Sequence, residues 1–326
     1  GDKVITTSIM HKPWNGQTYD PFESMVTWLK KADGSWWFDY TVFDKWVEFM
    51  MSLGVDSQIN CYSMIPWRLS FQYFDQAANA FRFLSAKPGE PEYEQFWTVM
   101  LRSFASHLKE KGWFDITMIA MDERPMQHML DAVSVIKKAD PDFKIAFAGN
   151  CHEELLDVLD YYCIPMEQNF PEGAVERRRK NGMTTTWYTS CAEAWPNTFT
   201  FSGPAQAEWM GWYIAAKGLD GYLRWAYNSW PADPMRDTRF RSWPAGDTYI
   251  VYPGGRSSMR FDRLVEGIQC CEKVRLLRAE LQAKGNRRAL KRIDEALKVF
   301  GWGGLEHTQM PTGERISRLQ RVLNSL

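Results

Sequence analysis

Residues Ile116–Met121 form a nearly unbroken apolar run that ends on Asp122-Glu123-Arg124 and is stopped by Pro125. A run that does not alternate suits a strand covered on both faces, as in a parallel sheet lined by helices. Directly after Pro125, apolar residues recur at helical spacing: Met126, Met129, Leu130, Val133 and Ile136. A proline in the first turn of a helix forfeits no hydrogen bond, so strand, charged tip and helix follow without a linker. This stretch commits the chain to an α/β fold. It also puts Asp122 and Glu123 at the C-terminal tip of a buried strand, the rim where such folds bind ligands.

The rest of the chain keeps the same rhythm. Strands are expected over Val4–Met10, Gln58–Ile65, Ile116–Glu123, Lys144–Asn150, Tyr161–Met166, Thr184–Cys191 and Gly221–Asn228. Helices are expected over Val42–Leu53, Glu92–Lys111, Met126–Ala139, His152–Leu159, Gly173–Lys180 and Pro204–Lys217, then Ser257–Leu281, Asn286–Phe300 and a tail from Gly313. Met25–Phe38, turning at Asp33-Gly34, and Phe71–Leu84 read as hairpin insertions. Alternation with short connections means a parallel sheet. The size suits a (β/α)8, TIM-like barrel, since no glycine-rich dinucleotide fingerprint follows the first strand. Seven clear strands leave the barrel one short. Either Tyr249–Tyr252 supplies the eighth, or a strand precedes Gly1.

With 39 basic and 40 acidic residues the formal net charge is −1, which argues against nucleic-acid or membrane-surface partners. No apolar stretch approaches the roughly 20 residues of a spanning helix, and Gly1-Asp2-Lys3 does not open like a signal peptide. The six cysteines form no CxxC pair, so reduced, mostly buried thiols are expected, with one of Cys270-Cys271 packed inward. Sixteen tryptophans suit sugar stacking as well as core packing.

Three motifs are discounted. His152-Glu153 opens like a zinc-protease helix, but Leu156 stands where the second histidine belongs, so neither metal nor cofactor is expected. Gly254-Gly255-Arg256-Ser257 lacks a phosphate-loop lysine and reads as a helix N-cap. Arg177-Arg178-Arg179-Lys180 reads as a solvated helix end.

Polar and aromatic residues gather at the strand tips: His11, Asn60, Tyr62, Asp122, Glu123, Asn150, Glu167, Tyr188, Ser190, Glu193, Trp225, Asn228 and Trp230. Each alone has a plain reading as a cap or loop residue. Gathered at one end of a barrel they describe a site.

Ile119–Pro125 resembles the catalytic strand of glycoside hydrolase family 123. The likeness extends through Gly221–Trp230, Asp237–Phe240, Gly246–Tyr249 and Val251–Ser258, and covers about Val4 to Arg278. It implies a β-N-acetylgalactosaminidase acting on a glycan or glycoconjugate, with export to the periplasm or beyond, and an upstream β-sandwich domain that is not in this chain. It also implies a strand ahead of Val4–Met10. The expected organisation is then a catalytic barrel over 1–285, lacking its first strand, and a helical extension over 286–326 packed on it.

Neighbouring residues on a strand face opposite sides, so Asp122 and Glu123 are badly placed to flank a glycosidic bond as separated carboxylates do. Where the strand unwinds, both can serve one side of a sugar whose own 2-acetamido oxygen attacks the anomeric carbon. Glu123 is then the expected general acid and base. Asp122 is expected to hold the acetamido N–H and stabilise the oxazolinium-like intermediate. Arg124 is expected to pair with a carboxylate behind the rim. By analogy with family 20 hexosaminidases, Tyr188 is the candidate for the acetamido carbonyl. Trp225 is the candidate platform under the ring; His11, Asn150 and Asn228 are candidates for hydroxyl groups, with Tyr62 beside them. A hexosaminidase of other sugar preference and a silent carbohydrate-binding barrel are the alternatives.

Overall fold

A computed structural model describes residues 2–241, 243–300 and 310–326, and in it the chain divides into two compact units, Gly1–Tyr162 and Cys163–Leu326. In chain order the first unit holds β1 (Val4–Ser8), β2 (Thr27–Lys30), β3 (Trp36–Asp39), α1 (Thr41–Ser52), β4 (Gln58–Tyr62), β5 (Phe71–Asp75) and β6 (Ala80–Leu84). It continues with α2 (Pro91–Lys111), β7 (Thr117–Asp122), α3 (Met126–Ala139) and β8 (Lys144–Ala148). The division falls inside β9 (Tyr161–Pro165).

Strands β1, β4, β7 and β8 lie side by side in that order, parallel, with Ser8 opposite Tyr62, Tyr62 opposite Ala120 and Asp122 opposite Ala148. The first five residues of β7 are buried and only Asp122 opens toward solvent, as an uninterrupted apolar run requires. Its neighbour β4 is buried at all five positions. Helix α2 stops where Gly112 takes φ +71°, a conformation that costs glycine nothing.

The two hairpins are not separate insertions. Leu29 of β2 lies opposite Phe74 of β5 in a parallel pairing, giving one four-stranded sheet in the order β3-β2-β5-β6. Pairing between strands so far apart in sequence leaves no local signal. The sheet is seated on α2 by aromatic packing: Trp28 stacks on Phe96 at 4.6 Å, and Phe71 meets Trp97 edge-on at 5.6 Å.

The second unit holds the rest of β9, then α4 (Ala174–Lys180), β10 (Thr184–Tyr188), α5 (Ala205–Lys217), β11 (Gly221–Leu223), α6 (Met259–Ala283), α7 (Arg287–Leu297) and α8 (Thr312–Leu323). Here the order is β9-β10-β11, with Tyr188 opposite Leu223 in a parallel pair. Residues Ala207–Ile214 of α5 are all buried. Trp209 and Trp212 share a core with Ile293 and Leu297 of α7 and Ile316 and Leu319 of α8.

Among the described residues the fold is thus mixed α/β with seven parallel strands, and β1 and β11 are the ends of the strand order. Several expectations change. Tyr249–Tyr252 is no barrel strand: Tyr249 bridges Asn228 in the antiparallel sense, and Tyr252 bridges Arg256. The strand expected over Gly221–Asn228 stops at Leu223, because the backbone beyond it turns to pair with the returning segment, Ser229 N donating to Thr248 O and Ile250 N to Tyr227 O at 3.0 Å each. His152–Leu159 supplies only a 3-10 turn, Glu153–Leu155.

In the basic run Arg178 is fully buried. Its Nε donates to Thr185 Oγ1 at 3.2 Å and its Nη2 to Thr184 O at 3.0 Å, so hydrogen bonding, not solvent, satisfies it. The cap of α6 is Ser258, one residue past the glycine-rich motif, whose Oγ accepts from Phe261 N at 3.2 Å. Cys61 and Cys163 are buried and the other four cysteines half-buried, Cys270 and Cys271 alike.

Candidate active site

In the first unit the parallel order carries the ends of β1, β4, β7 and β8 to one edge of the sheet. Asp122 and Glu123 stand at that edge. Glu123 N still donates to Ala148 O at 2.8 Å, so the ladder holds one residue past β7. The alternation expected of a strand leaves Asp122 half-buried and Glu123 exposed.

Trp67, five residues past β4, was not among the sequence candidates. Its Nε1 donates to Asp122 Oδ2 at 3.0 Å, and its own backbone N donates to Pro13 O at 3.0 Å. The Arg124 guanidinium lies 4.0 Å above the Trp67 ring, with Nε donating to Glu123 O at 3.2 Å. Arg124 therefore stacks on the Trp67 indole, and the carboxylate its charge acts on is Asp122 at the strand tip, in place of the expected partner behind the rim. Cation–π attraction of this kind stabilises a half-buried guanidinium without neutralising it. Asp122 Oδ1 is buried and meets no hydrogen-bond partner among the described residues.

Burial pushes the Asp122 carboxyl up to about 6 from its ordinary 3.8. The Trp67 N–H and the Arg124 charge pull the other way, and Glu123 adds to the rise. Between these values the folded protein binds more protons at Asp122 than the unfolded chain does. Stability from this group therefore declines as pH rises from about 4 to about 6 and is level above that. Any chemistry that needs the carboxylate has the opposite dependence, gaining as pH rises through about 6. Trp67→Phe removes a donor that favours the ionised form, so the acidic limb of a kcat/KM profile is expected to move upward. A limb that stays in place would show that the Trp67 bond does not set this group.

The other first-unit candidates surround this edge. Tyr62, 8% exposed, closes β4 and packs against Trp14 with ring centroids 5.2 Å apart. His11 is bound through Nδ1 to Glu23 Oε2 at 2.6 Å, and its ring lies 6.4 Å from Phe83 of the aromatic sheet. Asn150 is exposed just past β8, where its carbonyl accepts from Tyr162 Oη at 2.6 Å.

In the second unit, Tyr188 ends β10, 6% exposed, with its carbonyl accepting from Met166 N at 3.1 Å. Trp225 follows β11 half-buried, and Asn228 is exposed with its backbone bridged to Tyr249. Glu193 is nearly buried; its Oε2 accepts from Ser190 N at 2.7 Å and Ser190 Oγ at 2.9 Å. Burial raises its carboxyl against those two donors, and a hydrogen bond with Glu167 adds to the rise. Among the described residues no cluster of three or more His, Cys, Asp or Glu side chains could hold a metal ion, and no helix is long and apolar enough to cross a membrane.

Comparison with known proteins bears on this arrangement. The family model described as glycoside hydrolase 123, catalytic domain, matches residues 1–277. Among solved structures the chain is similar to a family 123 glycoside hydrolase from Clostridium perfringens studied for glycolipid glycan hydrolysis. The TM-score is 0.87 at 28% identity, over 99% of this chain and 61% of that one. The chain thus spans about three fifths of that relative. A Thermobacillus composti GH10 xylanase aligns at TM-score 0.38 and 11% identity, over 71% of this chain and 83% of that one. No curated protein matches the chain in sequence.

Proposed function

The chain belongs to glycoside hydrolase family 123, and on that premise we propose that it removes terminal β-linked N-acetylgalactosamine from a glycoconjugate by substrate-assisted retention. The glycolipid glycan hydrolysed by the Clostridium perfringens relative supports a glycoconjugate as the substrate class. The strand–helix alternation supports a (β/α)8 plan of which seven parallel strands are described, with residues 1–285 as its catalytic part and 286–326 as a helical extension.

One observation carries the mechanism. Asp122 has one oxygen engaged by Trp67 Nε1 and the other buried without a partner among the described residues. An acceptor held in orientation and left unsatisfied in a low-dielectric site suits an amide N–H that arrives with the substrate. Asp122 then fixes the 2-acetamido group so that its oxygen attacks the anomeric carbon. Its negative charge stabilises the oxazolinium that forms. Glu123, exposed beside it, donates a proton to the departing oxygen and afterwards takes one from water. Tyr188, Trp225, Asn228, His11, Asn150 and Tyr62 are the residues proposed to hold the sugar.

The thiazoline analogue of N-acetylgalactosamine, whose fused ring mimics the bicyclic intermediate, is expected to inhibit competitively and much more tightly than substrate binds. Mimics of this kind gain about 10²–10⁸-fold. An aryl β-galactoside, which lacks the nucleophile, is expected not to turn over. Its hydrolysis at a comparable rate, or a covalent sugar trapped on Asp122, would put the nucleophile on the enzyme and end this reading.

A further inference from the structure

Asp247 is fully buried, so no sugar can reach it, yet its carboxylate ties together the two residues that follow β11. Trp225 Nε1 donates to Asp247 Oδ1 at 3.3 Å, and Arg224 Nη2 approaches the same oxygen at 3.3 Å. Arg224 Nη2 also donates to the Asp247 carbonyl. A buried carboxylate is costly unless it is paired and hydrogen-bonded, and Arg224, with a side chain only 6% exposed, supplies the pairing charge.

The segment that carries Asp247 is itself pinned. Arg260 Nη1 donates to Thr198 O at 2.6 Å and to Gly246 O at 2.7 Å. Gly246 takes φ +80°, and a Cβ there would lie 2.6 Å from Thr200 Cγ2 and 2.8 Å from Arg260 Nη1, so only glycine lets the backbone pass this close. Trp243, four residues before Asp247, meets the Trp225 ring at 6.3 Å and 69°. A continuous linkage therefore runs from Arg260 through Gly246 and Asp247 to the indole edge of Trp225.

We propose that Asp247 is the positioning residue for Trp225: it holds the indole N–H so that the ring stands at a fixed angle as the sugar platform. The proposal rests on the reading of Trp225 as a sugar-binding residue. A strand-tip tryptophan turns about two side-chain torsions, and an edge bond to a carboxylate, stronger than one to a neutral acceptor, removes that freedom before substrate arrives. Preorganisation of this kind acts on binding more than on the chemical step.

The test uses the whole chain with an aryl N-acetylgalactosaminide, comparing Asp247→Asn, Trp225→Phe and the double variant. Asp247→Asn is expected to raise KM about tenfold with kcat within about threefold, since uniform binding is lost without transition-state contacts. In the Trp225→Phe background the same change is expected to add less than about twofold, because residues acting as a unit are not additive. A full effect of Asp247→Asn in that background overturns the proposal. The indole N–H signals of protein carrying 15N-tryptophan give an independent readout. The signal lost in Trp225→Phe identifies Trp225, and Asp247→Asn is expected to move that signal most. If it stays in place, the two side chains are not coupled and the proposal falls. If it moves while Trp225→Phe leaves KM unchanged, the coupling stands and the platform reading is the one overturned.

Discussion

Glu123→Gln is expected to lower kcat/KM on a glycan substrate by about 10²–10⁴-fold, the usual contribution of a positioned general acid. On an aryl glycoside whose phenolate leaves without a proton, the same variant is expected to lose far less. The reason lies in the edge geometry. Glu123 is exposed and stands beyond the last buried residue of β7, where its carboxyl can meet a departing oxygen at the mouth of the site. Asp122→Asn is expected to behave differently. It keeps an acceptor for the Trp67 N–H but loses the charge proposed to offset the oxazolinium, so both substrates are expected to suffer alike. Burial raises the Asp122 carboxyl to about 6, so an acidic limb expected there should be absent from Asp122→Asn. Measuring kcat/KM for both variants on both leaving groups separates the roles. Equal losses for Glu123→Gln on the two substrates would remove it as the acid.

The part of this site that was legible in the sequence is the part encoded locally. An apolar run ending in Asp122-Glu123 and a proline fixes strand, tip and helix within a dozen residues, and the half-buried, exposed alternation of the pair follows from strand geometry. What supports those residues was not legible. Trp67 reaches Asp122 across 55 residues of sequence, and Asp247 reaches Trp225 across 22. Trp67 reads locally as a packing tryptophan, and Asp247, although it lies in the Gly246–Tyr249 stretch of the family likeness, carries no local sign of its partner. Charge runs misled in the same way. Arg177, Arg179 and Lys180 are exposed as the composition of a solvated helix end suggests, but Arg178 turns inside, where the carbonyl of Thr184 and the hydroxyl of Thr185 accept from it. The parallel pairing of β2 with β5 had no signal either, since hairpin turns announce their own two strands and no others.

Gly211→Ala is expected to be the most damaging conservative change in the second unit, and to act on folding alone. Helix α5 crosses α6 so closely that a Cβ on Gly211 would lie 2.0 Å from the carbonyl carbon and oxygen of Gly267. A Cβ on Gly267 would lie 2.3 Å from Glu208 O. In both cases the obstacle is backbone, so no side chain can rotate away and the helices themselves must part. Parting them opens a core in which Trp209 and Trp212 are fully buried and which α7 and α8 also share. Overpacking a well-filled core costs about 1–3 kcal/mol when side chains can yield; a backbone clash belongs at or above the top of that range. At roughly 2–4 °C per kcal/mol for a unit of this size, a fall in Tm of more than about 5 °C is expected for either glycine. Gly313→Ala in α8 is the control, because its Cβ would meet only Ala205 Cβ at 4.0 Å. There, alanine's better helix propensity, worth about 0.5–1 kcal/mol, is expected to hold or raise Tm. Thermal unfolding of the three variants decides the matter. If Gly211→Ala and Gly313→Ala melt together, the close approach of α5 and α6 is not what holds this core.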